Sequence, residues 1–292
     1  MDENTRRQAH HFDEKTPITP WPEVLRSEGF RFHYIAKDLL VKQALDKAGL
    51  RAGSRVLDVG CGVGVWLDRI GRTYGTVGFG IDVSRQSLVS ANSEKRGRNS
   101  FIVADARALP FAGSSFDLVT SLDVLEHIER PLEVIDEMIR SLAEGGMLVA
   151  YAVSARNRFT LEWLQKKLLT LVGVDMNAIS SHDPALLIDP ATIQYHVEGR
   201  GISSWRIEYF HAFFSSLFDQ FFLISYLILK KAGVFSLGQT AQRILGLPWL
   251  ALSSFLSRAS FGVLTRLDGP WYRKGLSNGF LALASKQSRL GR

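Results

Sequence analysis

Cysteine is almost absent from this 292-residue chain, with Cys61 the only one. A single thiol excludes an intramolecular disulfide framework, and its place in a glycine-rich stretch, away from other metal-ligand residue types, argues against a zinc site. A reducing cytoplasm is the expected compartment. The charged start Met1-Asp2-Glu3-Asn4-Thr5-Arg6-Arg7 lacks an apolar run behind it, so no secretory signal is expected. Internal repeats and low-complexity tracts are missing too. With 46% hydrophobic and 22% charged residues, the composition excludes disordered and collagen-like classes.

Acidic residues run out toward the C-terminus. Positions 201–292 hold only Glu208, Asp219 and Asp268 against 11 Lys and Arg, whereas positions 1–150 hold 21 acidic and 19 basic residues. The net charge of +6 is therefore a property of the last third, which suits a polyanion or an anionic membrane surface.

What is present is an alternation. After a polar arm, Ile35, Leu39, Leu40, Val41, Ala44 and Leu45 recur at helical spacing as far as Gly49. Short apolar runs follow at 55–59, 77–81, 101–103, 116–121 and 147–153, separated by helical patterns such as Leu132, Val134, Ile135, Met138, Ile139 and Leu142. Strands alternating with crossover helices predict a doubly wound, mostly parallel α/β sheet. Further helices are expected over 160–171 and, capped by Asp189-Pro190, through His196. Segments 202–209 and 279–284 complete seven strands.

The first strand ends in Val56-Leu57-Asp58-Val59-Gly60-Cys61-Gly62-Val63-Gly64. Glycines at alternate positions let the chain turn sharply and let a ligand approach its backbone beside the next helix N-terminus. Dinucleotide-binding spacing calls for a third glycine at position 65, which is Val65. A nicotinamide or flavin site is thereby disfavoured. Asp82 and Asp105 close the next two strands, and a carboxylate at Asp82's place accepts hydrogen bonds from ribose hydroxyls in open α/β folds. Three acids at successive strand ends are hard to explain as helix caps alone.

These segments, together with Asp105-Ala106-Arg107-Ala108-Leu109-Pro110-Phe111, Phe116-Asp117-Leu118-Val119 and Leu125-Glu126-His127-Ile128, resemble the class I methyltransferases over about residues 55–155. The group in question contains the ubiquinone- and menaquinone-biosynthesis methyltransferases. The resemblance implies a Rossmann-like fold binding S-adenosyl-L-methionine. Gly60, Cys61 and Gly62 would face its methionine portion and Asp58 its ammonium; Asp82 with Val83 would meet the ribose, Asp105 and Ala106 the adenine, and Leu122 would lie near the sulfonium.

Methyl transfer from a sulfonium is a direct displacement, so a base is needed only for a protonated acceptor. Asp123, Glu126 and His127 are the candidate catalytic residues, expected about one helical turn apart on one face. His182 and Asp183 are secondary candidates on a polar loop. In similar ubiquinone-pathway O-methyltransferases an acid–Glu–His trio is associated with a divalent metal; Asp123 stands where those have glutamate, and no metal ligand is assigned here. The Asn/Asp-Pro-Pro-Tyr/Phe motif of amino-adenine methyltransferases is absent after the fourth strand, which disfavours DNA adenine as acceptor.

Two apolar stretches, 212–229 and 244–256, precede the last strand. Asp219 and Gln220 at the centre of the first oppose a full membrane span. An interfacial helical pair, with Lys230, Lys231, Arg243, Arg258, Arg266, Arg273 and Lys274 near headgroups, or a lid over an apolar substrate, fits better. The chain is thus expected to comprise an N-terminal arm and helix (1–50), a methyltransferase core (51–211), an apolar helical insertion (212–270) and a last strand with a basic tail (271–292). The expected protein is cytoplasmic, peripheral on the inner face of the membrane, and methylates a hydrophobic or lipid-linked small molecule on oxygen. An RNA methyltransferase, or an idle cofactor-binding protein that docks a partner, is the alternative, although interleaved apolar runs disfavour nucleic acid.

Overall fold

Strand β1 (Arg55–Val59) has every residue after Arg55 buried, the pattern of a parallel strand covered on both faces. Around it stand β2 (Val77–Asp82), β3 (Asn99–Val103), β4 (Phe116–Leu122), β5 (Leu142–Val153), β6 (Ile202–Phe210) and β7 (Gly279–Lys286). The seven form one sheet in the order β3-β2-β1-β4-β5-β7-β6, with β7 antiparallel to both its neighbours and every other pair parallel. This is the doubly wound, mostly parallel α/β sheet that the alternation predicts. The chain is described here by a computed structural model over residues 32–93, 97–171, 183–231 and 247–287. The arm before Phe32, His182, Arg243, the Lys230 side chain and the tail beyond Gln287 lie outside it.

Helices cover both faces. On one, α4 (Pro131–Ser141) and α6 (Pro190–Val197) bury Val134, Ile135, Met138, Ile193 and Val197 against Leu57, Val119 and Leu148. On the other, α1 (Phe32–Lys47), α2 (Val65–Tyr74) and α3 (Arg85–Ser93) bury Leu40, Leu67, Ile70 and Leu88 against Val56, Leu118 and Val149. Each large apolar side chain so buried contributes about 1.5–3 kcal/mol. The expected cap of α6 is present: the Asp189 carboxylate accepts from Ala191 N at 2.9 Å, with Pro190 at the first helical position.

Strand β5 starts five residues before the expected 147. Leu142 pairs with Phe116, and the register then shifts before Leu118 pairs with Met147, so Gly145 and Gly146 lie inside an irregular strand. Leu142, which its spacing assigned to the preceding helical pattern, opens the strand instead, and the register shift accommodates the two glycines.

Between β6 and β7 lie α5's neighbour α7 (Phe214–Lys231) and α8 (Leu247–Leu267); α5 itself is Leu161–Leu171. Helices α7 and α8 pack on α1, where Phe32 meets the rings of Phe218 and Phe261 at 5.8 and 6.2 Å. Their polarity is inverted. Ser215, Ser216, Asp219, Ser253 and Ser257 are buried, while Leu217, Phe221, Ile224 and Ile228 on α7 and Leu252, Phe255 and Val263 on α8 are exposed. No described helix is long and apolar enough to cross a membrane.

Candidate active site

The turn after β1 is built by its glycines. Gly60 has φ +76°, and a Cβ there would lie 2.3 Å from Cγ2 of Val124, so the turn and the segment after β4 touch only because the side chain is missing. Gly62, at φ +51°, is different: a Cβ there would meet nothing within 4 Å. Its backbone borders open space, as a ligand-facing turn requires.

The three strand-end acids line one edge of adjacent strands, as the register β1–β2–β3 demands. Asp82 accepts from Gly62 N through Oδ2 and from Ser84 N through Oδ1, both at 2.8 Å. It therefore ties the glycine turn to the end of β2. A carboxylate accepts roughly four hydrogen bonds, so this tie is compatible with ribose hydroxyls binding as well. Val83 beside it is half-buried.

Asp58 is buried and accepts from the Thr120 hydroxyl at 2.6 Å. Burial pushes its carboxyl up to about 7, the Thr120 bond opposes the shift, and the charge of Asp82 adds to it. A buried acid poised near neutrality gains most from a neighbouring cation, which fits an ammonium. Cys61 is buried, and burial together with the charges of Asp58 and Asp82 holds its thiol well above its usual range. It acts as a packing group and not a nucleophile.

Asp105 is grasped by Arg107: Nε and the backbone N reach Oδ1 at 3.0 and 2.9 Å, and Nη2 reaches Oδ2 at 2.7 Å. Sequence reading missed this partner, although the Asp-Ala-Arg spacing is that of an Asx turn closed by a cation. Any ring amino group at Asp105 shares it with a guanidinium. Ala106 is buried beneath, and Val103 leaves an exposed apolar surface beside it.

The segment after Leu122 corrects one expectation. Asp123, Glu126 and His127 do not share a helix face: Asp123 has a left-handed φ of 60°, and only Leu125–His127 form a turn, of the 3₁₀ type. The reversal at Asp123 breaks the helical spacing, although the Asp123 charge still reaches Glu126. Asp123 is paired to Lys37 of α1, Glu126 is fully buried, and His127 is half-buried. Among the described residues no group of three His, Cys, Asp or Glu side chains could hold a metal ion. Neither Glu126 oxygen has a hydrogen-bond partner; the nearby N–H groups of Glu126 and Val153 oppose its shift without bonding well. Burial, with the Asp123 charge adding, pushes its carboxyl up to about 8. It is a buried proton holder.

The same edge collects polar groups that the sequence did not single out. Tyr151 hydroxyl meets His33 Nε2 at 3.2 Å, and the His33 ring contacts that of His211 at 4.9 Å. His211, buried with φ 63°, lies 3.8 Å from Asp219 of α7 and 3.3 Å from the Asn278 amide. These residues come from α1, β5, the end of β6, α7 and the turn before β7, so only folding brings them together. Asp183 lies in the described turn before α6, with its carboxylate accepting from Ala185 N at 2.9 Å, a local turn role.

Residues 57–150 match the family model described as a methyltransferase domain. Residues 57–150 thus form a methyltransferase domain. The chain is also similar to Methyltransferase GfsG of Streptomyces halstedii, 35% identical over 41% of this chain and 45% of the relative. The Ubiquinone biosynthesis O-methyltransferase of Psychrobacter cryohalolentis is 32% identical over 57% of this chain and 64% of its own length. The chain thus matches less than two thirds of the length of these curated relatives. Among solved structures, geranyl diphosphate C-methyltransferase from Streptomyces coelicolor superposes with a TM-score of 0.55 over 98% of both chains at 12% identity. That likeness concerns the fold. In the methyltransferase domain, the matched residues include the glycine turn, Asp58, Asp82, Asp105 and the Asp123–His127 segment.

Proposed function

We propose that this protein transfers a methyl group from S-adenosyl-L-methionine to an oxygen of a hydrophobic or lipid-linked small molecule at a membrane surface. The cofactor supplies an electrophilic methyl on a sulfonium. This chain's residues would do the rest. The open backbone at Gly62 receives the methionine portion, with Asp58 toward its ammonium and Asp82, beside Val83, toward the ribose. Asp105 and Ala106 would flank the adenine, and Leu122, buried at the end of β4, would keep water from the reacting carbon.

The acceptor class rests on one observation, the inverted polarity of α7 and α8. On α7, Phe221, Ile224 and Ile228 are 66%, 56% and 62% exposed, whereas Asp219 is 1% exposed. With 217 and 214 they form a stripe at helical spacing on one side of the helix. Monomeric surfaces rarely display such a patch without a use. Lys231, Arg258 and Arg266 accompany it in a segment poor in acids, which suits anionic headgroups. A nucleic acid would want a hydrophilic basic stripe instead. That the Psychrobacter relative is called a ubiquinone-biosynthesis O-methyltransferase supports an amphiphilic oxygen acceptor.

Calorimetric titration with S-adenosylhomocysteine tests the cofactor half. The wild type should bind, and Asp82→Ala should weaken binding by about 1.5–3 kcal/mol, roughly ten- to a hundredfold, for loss of charge-assisted contacts. Absence of binding to the folded wild type defeats the reading; undiminished affinity in Asp82→Ala defeats the ribose role.

A further inference from the structure

Lys37 is out of place by composition. It sits on the buried face of α1 among Ile35, Ala36, Leu40 and Val41, and its side chain is 9% exposed. Burying an ammonium is costly, and a pair with one surface carboxylate returns little of that cost. The pair is also made by a strained partner, since Asp123 adopts the left-handed conformation that non-glycine residues rarely take. Asp123 stands one residue past Leu122 and one before Val124, whose side chain abuts Gly60.

The ammonium is further held over two rings, 5.3 Å from the centroid of Tyr34 and 5.0 Å from that of Tyr151. Such a cage fixes a cation in place without neutralising it. Asp123 remains 44% exposed, so the pair is open to solvent just past the end of β4. Resting on the methyltransferase reading, we propose that Lys37 and Asp123 form the acceptor's reacting-oxygen site, and that the acceptor carries an ionisable hydroxyl of the phenol or enol class.

The step balances with these two residues. The acceptor O–H bond breaks and its proton passes to an Asp123 oxygen. The ammonium of Lys37 hydrogen-bonds the oxygen as negative charge grows on it. An oxygen lone pair forms the new bond to the methyl carbon, the carbon–sulfur bond breaks with its pair going to sulfur, and Asp123 returns its proton to water from its exposed side. Facing the ammonium are Asp123, the Tyr34 and Tyr151 rings and the Glu126 carboxyl, with His33 behind Tyr151.

The test uses 4-nitrophenol, whose ionised form absorbs in the visible, added to full-length protein saturated with S-adenosylhomocysteine at a pH below the probe's own pKa. The wild type is expected to bind the probe in its ionised form. Lys37→Met should weaken binding of the ionised form roughly ten- to a hundredfold, and Lys37→Arg, which keeps the charge, should restore part of it. Thermal melting and S-adenosylhomocysteine affinity of each variant report the fold; should Lys37→Met not fold, Lys37→Arg against Asp123→Asn carries the comparison, the latter retaining the probe's ionised form. Probe bound only in neutral form, no probe binding despite bound S-adenosylhomocysteine, or equal phenolate binding by Lys37→Met overturns the assignment alone. No S-adenosylhomocysteine binding by the wild type overturns the underlying reading as well.

Discussion

The carboxylate of Asp268 accepts a hydrogen bond from the backbone N–H of Phe214 at 2.7 Å, although the residues are 54 positions apart. The same fully buried side chain also accepts from the N–H groups of Phe213 and Ser215 and from the Ser215 hydroxyl. One acid at the end of α8 thereby closes the N-terminus of α7, satisfying donors that no intrahelical partner can reach and placing negative charge at the positive end of the dipole.

Asp268→Ala should therefore lower stability by about 2–4 kcal/mol, since several buried N–H groups lose their acceptor. A urea titration followed by circular dichroism would show it as a lower midpoint. Affinity for S-adenosylhomocysteine should be unchanged, because Asp268 bonds residues 212–215 and Tyr272 and none of the residues assigned to the cofactor. An unaltered midpoint would mean that α7 is held by its apolar contacts instead.

Glu126 gives a pH dependence of defined sign. Its folded carboxyl titrates at about 8, pushed up first by burial and then by Asp123, against about 4.3 in an unfolded chain. Between those values the folded state keeps a proton that the unfolded state has released. Stability from this group is full below pH ~4.3 and is lost as the pH rises through about 8. Glu126→Gln cannot ionise and should flatten this decline, raising the denaturant midpoint at alkaline pH relative to wild type. Parallel curves for the two proteins between about pH 5 and 8 would refute it.

The exposed stripe of α7 predicts a surface activity. The triple variant Phe221→Ser, Ile224→Ser, Ile228→Ser should lose sedimentation with vesicles of anionic phospholipid, because each large apolar side chain buried at an interface contributes about 1.5–3 kcal/mol. S-adenosylhomocysteine binding should survive. A variant that sediments as well as the wild type would move the lipid contact elsewhere.

The fold was legible because its strands are short apolar runs separated by helical periodicity, and parallel strands buried on two faces announce themselves as continuous apolar segments. The cofactor edge was legible for a related reason. Glycine turns and strand-end acids are local devices, so Gly60, Gly62, Asp58, Asp82 and Asp105 stand at readable spacings. The Asp123–Glu126–His127 segment misled because a spacing of three to four residues implies a shared face only in a helix, and the left-handed turn at Asp123 ends that implication.

The sequence by itself determined the order of strands and helices, the glycine turn and the apolar character of 212–256, since each follows from the chemistry of neighbouring residues. Tertiary structure alone decided that Lys37 would be caged by Tyr34 and Tyr151 against Asp123, that His211 would meet His33, and that α7 would turn its serines and Asp219 inward. Those contacts join residues far apart in the chain, and which side of an apolar helix faces inward depends on which polar groups the rest of the fold has left for it to satisfy.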